Sequence, residues 1–155
     1  MWKEISKDNI TDIEKFGEVI NTLQIPLPVE LKQILGKHNM ISFIQESEDI
    51  ILTAAFRNDP ELNVFVLYFA HSKGAEEIPQ IEFAVREHAK LIKSIITKFG
   101  KIVIIDKCVI EMNRALTPEI FPNFEDRCVE IYKEEGLELF QKANCSKGVT
   151  LVRMI

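Results

Sequence analysis

Residues 62 to 106 hold the pattern that most restricts what this chain can become. An apolar run from Leu62 to Ala70 is followed by a polar, glycine-bearing segment from His71 to Glu77, an amphipathic run from Ile78 to Phe99, and a second apolar run from Ile102 to Ile105. Near-continuous apolar stretches such as Val64 to Ala70 belong to strands buried on both faces, because alternation disappears when both sides of a sheet are covered. Between the two strands Ile81, Ala84, Val85, His88, Leu91, Ile92, Ile95 and Phe99 recur every three or four residues, with Glu82, Arg86, Glu87, Lys90, Lys93 and Lys98 opposite. Pro79 suits a first helical turn, Glu76 and Glu77 sit where the helix dipole favours anions, and Gly100 is a natural stop. The stretch predicts a strand, a loop, a long crossover helix and a second strand parallel to the first.

The remainder of the chain must supply the other layers. At 155 residues a single domain, 1-155, is expected, long enough to bury roughly 70% of the surface its unfolded chain exposes. The net charge of -5, from 19 basic and 24 acidic residues, produces no field that would recruit nucleic acid or an anionic membrane. Cys108, Cys128 and Cys145 are widely spaced, odd in number and without a partner histidine at ligand spacing. They predict reduced thiols, with no metal site and no disulfide framework. Met1 to Ile5 lacks the apolar core of a signal peptide and no run approaches the ~20 residues of a membrane span, so the expected location is cytoplasmic.

In chain order, Trp2 to Ile5 reads as a short strand, and Ser6 to Asn9 offers side chains that cap helix amides. Ile10, Ile13, Phe16, Ile20 and Leu23 then recur at helical spacing. Pro26 and Pro28 end that helix, and Val29, Leu31, Ile34 and Leu35 predict a second short one stopped by Gly36. Met40 to Gln45 and Asp49 to Phe56 read as strands around the turn Glu46 to Glu48, and Arg57 to Pro60 predicts the turn before the central strand. Lys107 to Asn123 has no clean period. Phe124 to Glu135 resumes helical spacing through Phe124, Cys128, Ile131 and Tyr132, and Gly136 closes it. Leu137 to Phe140 and Val149 to Ile155 flank Asn144 to Gly148 as a hairpin. The order is β-α-α-β-β-β-α-β-α-β-β, an α/β (α+β) arrangement with a mixed, largely antiparallel sheet flanked by helices.

That order, with two short segments, resembles the GNAT superfamily of N-acetyltransferases over essentially the whole chain. Tyr132, with Gly136 and Leu137 following, is similar to the family's Tyr-x-x-x-Gly-Phe element, and Ile5 to Asp8, with Ile13 beyond, resembles its opening strand-to-helix turn. The resemblance implies transfer of an acetyl group from acetyl-CoA, a co-substrate, to a primary amine of a small molecule or protein, with homodimer formation left open. It implies that backbone near Phe69 and Ala70 polarises the thioester carbonyl, that Lys73, Gly74 and Ala75 lie in the cofactor loop, and that Tyr132 is the general acid for the leaving thiolate. Candidate bases are Asp106 and His71, each at the end of an apolar strand, where open α/β sheets build sites.

The family's loop carries Gln or Arg, two residues, Gly, one residue, then Gly or Ala. Here His71 to Glu76 matches it at Gly74 alone. Glu76 and Glu77 stand where small residues would let a helix N-terminus approach a diphosphate. The second reading is therefore a non-catalytic GNAT-like binding module, favoured if those two carboxylates fill the cleft. His88, on the apolar stripe, reads as a hydrogen-bonded core histidine. His38 follows a helix stop, where a cation is favourable. The acidic residues from Glu125 to Glu138 read as a solvated helix face, or else as a surface for a basic partner.

Overall fold

The structure, a computed structural model, describes residues 1–22, 39–105, 121–141 and 150–154. The expected short helix at 29–35, most of the irregular connection after 106, the turn 144–148, and His38, Asp106, Cys108 and Cys145 lie outside them. The described elements are β1 (Lys3–Glu4), α1 (Ile10–Asn21), β2 (Met40–Ser47), β3 (Ile50–Asp59), β4 (Val64–Lys73), α2 (Ile78–Phe99), β5 (Ile102–Ile105), α3 (Phe124–Glu134), β6 (Leu137–Gln141) and β7 (Thr150–Met154). Seven strands form one sheet in the order β1-β2-β3-β4-β5-β7-β6. Among the described residues the β4–β5 pair alone is parallel, with Val64 to Leu67 matched to Ile102 to Ile105. The remaining pairs are antiparallel. The expected meander, crossover and terminal hairpin are all present; the insertion of β7 between β5 and β6 is the feature that local pattern does not specify.

Four strands outrun their expected ends: β6 reaches Gln141, β2 takes in Glu46 and Ser47 by pairing with Ile51 and Ile50, which leaves only Glu48 and Asp49 for the turn, and β3 and β4 also run on. β4 was expected to stop at Ala70, yet His71, Ser72 and Lys73 continue it because β3 is ten residues long and pairs with all three. The Thr53 hydroxyl also donates to the His71 carbonyl at 2.9 Å. The loop before α2 is therefore only Gly74 to Glu77. β3 likewise runs through Asp59, and the turn falls later: the Asp59 carboxylate accepts the Leu62 amide at 3.1 Å and Asn63 takes φ 56°.

One face of the sheet lies under α2. Ile81, Ala84, Ala89, Leu91, Ile92 and Ile95 are buried there, and most of them share a core with Ala54, Phe56, Phe65, Leu67, Val103 and Val152. Gly100 ends the helix in the left-handed region at φ 65°, where a residue without Cβ carries no penalty. The opposite face receives α1, whose Phe16 packs with Ala55 and Phe69. On that helix the expected stripe is displaced. Ile10 is 69% exposed, whereas Asp12, Phe16 and Val19 are buried. Asn9 explains the shift: its side chain accepts the Asp12 amide at 3.2 Å, placing Ile10 in the uncovered first turn. Lys3 reaches the buried Asp12 carboxylate at 2.8 Å and ties β1 to α1. Phe16→Ala should cost about 3–5 kcal/mol by urea unfolding, whereas Ile10→Ala should change stability by less than about 0.5 kcal/mol.

Candidate functional site

The C-terminal half of β4 departs from its neighbours on both sides. Against β3, Ala54 pairs with Ala70 and Ala55 with Phe69, but the next pair is Phe56 with Leu67, leaving Tyr68 as the extra residue of a β-bulge. A bulge bends its strand and sharpens the local twist. Against β5, pairing covers Val64 to Leu67 and ends there. Phe69 to Lys73 thus present an edge bonded to no other strand among the described residues. Alternate residues of an extended chain turn their N–H and C=O to opposite edges, so this segment can pair with an extended, amide-bearing ligand. Phe69 is fixed by its side chain, which is buried with the Phe16 ring centroid 5.6 Å away; Ala70 faces the core beneath α2.

The short loop at the end of that edge is constrained from three sides. Gly74 takes φ 94°, and a Cβ there would collide with the Asp49 carbonyl oxygen in the β2–β3 turn. Its missing side chain lets the hairpin approach. Ala75 packs beside the Ile50, Leu52 and Ala84 cluster. The Gln80 side-chain oxygen accepts the backbone amides of Glu76 at 3.0 Å and Glu77 at 3.1 Å, occupying two of the donors that the start of the helix would otherwise offer to an anion. Glu76 and Glu77 are themselves exposed. A carboxylate ~6 Å from a phosphate charge repels it by roughly 0.7 kcal/mol in bulk-like solvent and ~3 kcal/mol at an effective dielectric of 20. Lys73, the nearest compensating cation in sequence, lies 3.5 Å from Glu18 of α1. The partnered amides and the two exposed carboxylates disfavour an anion at this loop, whereas the β4 edge carries no formal charge before Lys73. Two of the loop amides are thus engaged within the chain, and both carboxylates face solvent. Gln80 was not singled out from sequence, although the Glu77-x-x-Gln80 spacing is that of a capping box.

Tyr132 is buried in the core cluster that contains Leu67 and Ala70, and burial pushes its phenol above the ordinary value, with a smaller push from Cys128. Cys128 is itself raised to about 12 by burial, then by Glu125, so its thiol is protonated at neutral pH. Two arginines hold α3 against α2. Arg86 reaches Glu134 at 2.7 Å and Glu135 at 3.1 Å; Arg127 reaches Glu82 at 2.9 Å, Glu130 at 3.0 Å and Glu134 at 3.3 Å. Glu138 pairs with Arg153 at 2.9 Å. Glu125, Asp126, Glu130 and Glu134 are exposed, as a solvated helix face requires, and the stretch also serves the α2–α3 contact through Glu134 and Glu135 and the terminal hairpin through Glu138.

His71 sits within β4 opposite Thr53, and burial, then the nearby His88, lowers its pKa to about 4. It is unprotonated at neutral pH and a weak proton acceptor. His88 is the expected core histidine: its ring nitrogens lie 2.8 Å from the Ala84 carbonyl oxygen and 3.0 Å from that of Thr53, and Trp2 packs at 5.3 Å between centroids. Burial lowers its pKa despite both carbonyls. Asp106 lies outside the described residues, directly after β5.

Two measurements check these constraints. Gly74→Ala should destabilise the domain by about 1–3 kcal/mol, read from the urea midpoint, because both its φ and the Asp49 carbonyl oppose a side chain. Because folding lowers the His71 pKa from 6.5 to about 4, its contribution is complete above pH 6.5 and falls as pH drops towards 4. Stability should therefore decline by roughly 2 kcal/mol from this group between pH 7 and pH 5. His71→Gln should remove that part of the slope.

No family model matches this chain, and no curated protein matches it in sequence. Solved structures do match. Tetrahymena Gcn5 superposes with a TM-score of 0.61 at 10% identity, covering 100% of this chain and 96% of that one. The aminoglycoside 6'-N-acetyltransferase from Enterococcus faecium gives 0.58 at 10% identity over 99% and 96%. An aminoglycoside 6'-N-acetyltransferase complexed with coenzyme A gives 0.57 at 10% identity over the same shares.

Proposed function

We propose, taking as premise the GNAT fold that this chain shares with those acetyltransferases, that it transfers an acetyl group from acetyl-CoA to a primary amine of a small molecule or protein. The observation that carries the reading is the shape of β4, which bulges at Tyr68 and is paired with β5 only before it. A thioester laid along that edge has one backbone N–H, near Phe69 or Ala70, to polarise its carbonyl, and such a donor stabilises the oxyanion that develops there. In the reaction the amine nitrogen forms a bond to the carbonyl carbon and the carbon–sulfur bond breaks. The ammonium nitrogen gives up two protons: one goes to a base before attack, and the second, lost as the amide forms, replaces the proton that the general acid gives to the departing thiolate.

Tyr132 suits the role of general acid. Its phenol is held protonated by burial, and a thiolate in the same apolar surroundings becomes more basic for the same reason, as the rise at Cys128 illustrates. The first proton goes to Asp106 or His71. His71 is neutral and available, though its low pKa makes it a weak acceptor, and basicity alone does not favour one candidate over the other. The chain's other contribution is exclusion of water by the apolar core around Tyr132. Tyr132→Phe should lower kcat by about 10²–10⁴-fold with acetyl-CoA and a panel of primary amines, while leaving the thermal midpoint within a few degrees. Retention of full activity would remove Tyr132 from the mechanism.

A further inference from the structure

We infer, on the strength of the acyl-transfer reading, that this site recognises its donor through the thioester and the amide-bearing arm next to it, and draws no binding from the donor's diphosphate. Four features of the loop agree. Its two terminal amides, on Glu76 and Glu77, both donate to the Gln80 side chain. The carboxylates of the same two residues are exposed at the helix end, where they oppose a polyanion. On the open side of Gly74 stands the Asp49 carbonyl oxygen, another acceptor facing any phosphate that would use the missing side chain as a passage. Lys73 points its ammonium to Glu18 on α1.

The strand edge offers the opposite chemistry. Phe69 to Lys73 is uncharged but for Lys73, extended, paired on its β3 side and bonded to no further strand among the described residues, so it presents backbone donors and acceptors to a ligand that carries amides. The donor class that fits is an acyl thioester of the pantetheine type, for which coenzyme A is one carrier among others. The diphosphate would have to displace Gln80 and gain nothing that Gln80 does not already supply.

The test compares acetyl-CoA with acetylpantetheine, which lacks the nucleotide and its diphosphate, on the wild-type protein with one amine acceptor. The expected kcat/KM values agree within about tenfold, since a group that contributes no binding in the transition state is kinetically silent. Inorganic diphosphate at millimolar concentration should give no calorimetric signal. The variant Gln80→Ala, Glu76→Gln, Glu77→Gln should raise the acetyl-CoA preference about tenfold or more by freeing the amides and removing the two charges. A wild-type preference for acetyl-CoA above about tenfold, or saturable diphosphate binding, overturns this inference and leaves acyl transfer standing. Turnover of neither thioester with any amine overturns both.

Discussion

The packing of α2 across the sheet is the contact on which the other features depend. Leu91, Ile92 and Ile95 are almost wholly buried beneath it, and each such side chain contributes roughly 1.5–3 kcal/mol by leaving water. Its length matters as much as its stripe. A helix of 22 residues rises ~33 Å, and ten residues of strand span about the same distance, so α2 returns the chain to the level at which β4 began. Ile102 is consequently paired with Val64, and β5 is in register with the first four residues of β4 rather than the last.

The open edge of β4 follows from that register together with the bulge at Tyr68. β3 continues to hold β4 as far as Lys73, so Phe69 to Lys73 is fixed in place although no strand among the described residues pairs with its other side. α3 completes the surroundings. Arg86 and Arg127 bridge it to α2 through Glu82, Glu130, Glu134 and Glu135, and this network keeps both guanidinium groups well charged. Single exposed pairs of this kind contribute little, but shared partners restrain one another. Their effect is to seat Ile131 and Tyr132 in the core beneath α2.

The loop before α2 shows how a conformational requirement and a binding function can be separated. Gly74 is present because the β2–β3 turn comes too close for a side chain, a reason unrelated to phosphate. Gln80 then closes the helix end that the glycine leaves accessible. Nearby, Gln45 donates to Glu87 at 2.9 Å while its own side-chain oxygen is buried with no partner among the described residues, and the Trp2 indole N–H donates to the Glu87 carbonyl at 2.8 Å. Polar groups are thus built into the rim of the core where β1 and β2 meet α2.

Periodicity and punctuation alone determined the elements: the apolar runs of β4 and β5, the stripe from Ile81 to Ile95, and the stops at Gly100 and Gly136 are local signals, because burial and positive φ are imposed residue by residue. The order β-α-β fixed the parallel pair for the same reason, as a crossover helix leaves no other arrangement. What depends on partners distant in sequence was decided only by the tertiary structure. β7 enters between β5 and β6; β4 gains His71 to Lys73 because β3 reaches them; Asp12 and Val19 replace Ile10 on the buried face of α1. The loop's character belongs to the same class. Its Gly74 matches a phosphate motif in sequence, but whether a glycine admits a ligand or a neighbouring carbonyl is settled by what stands opposite, and here that is Asp49.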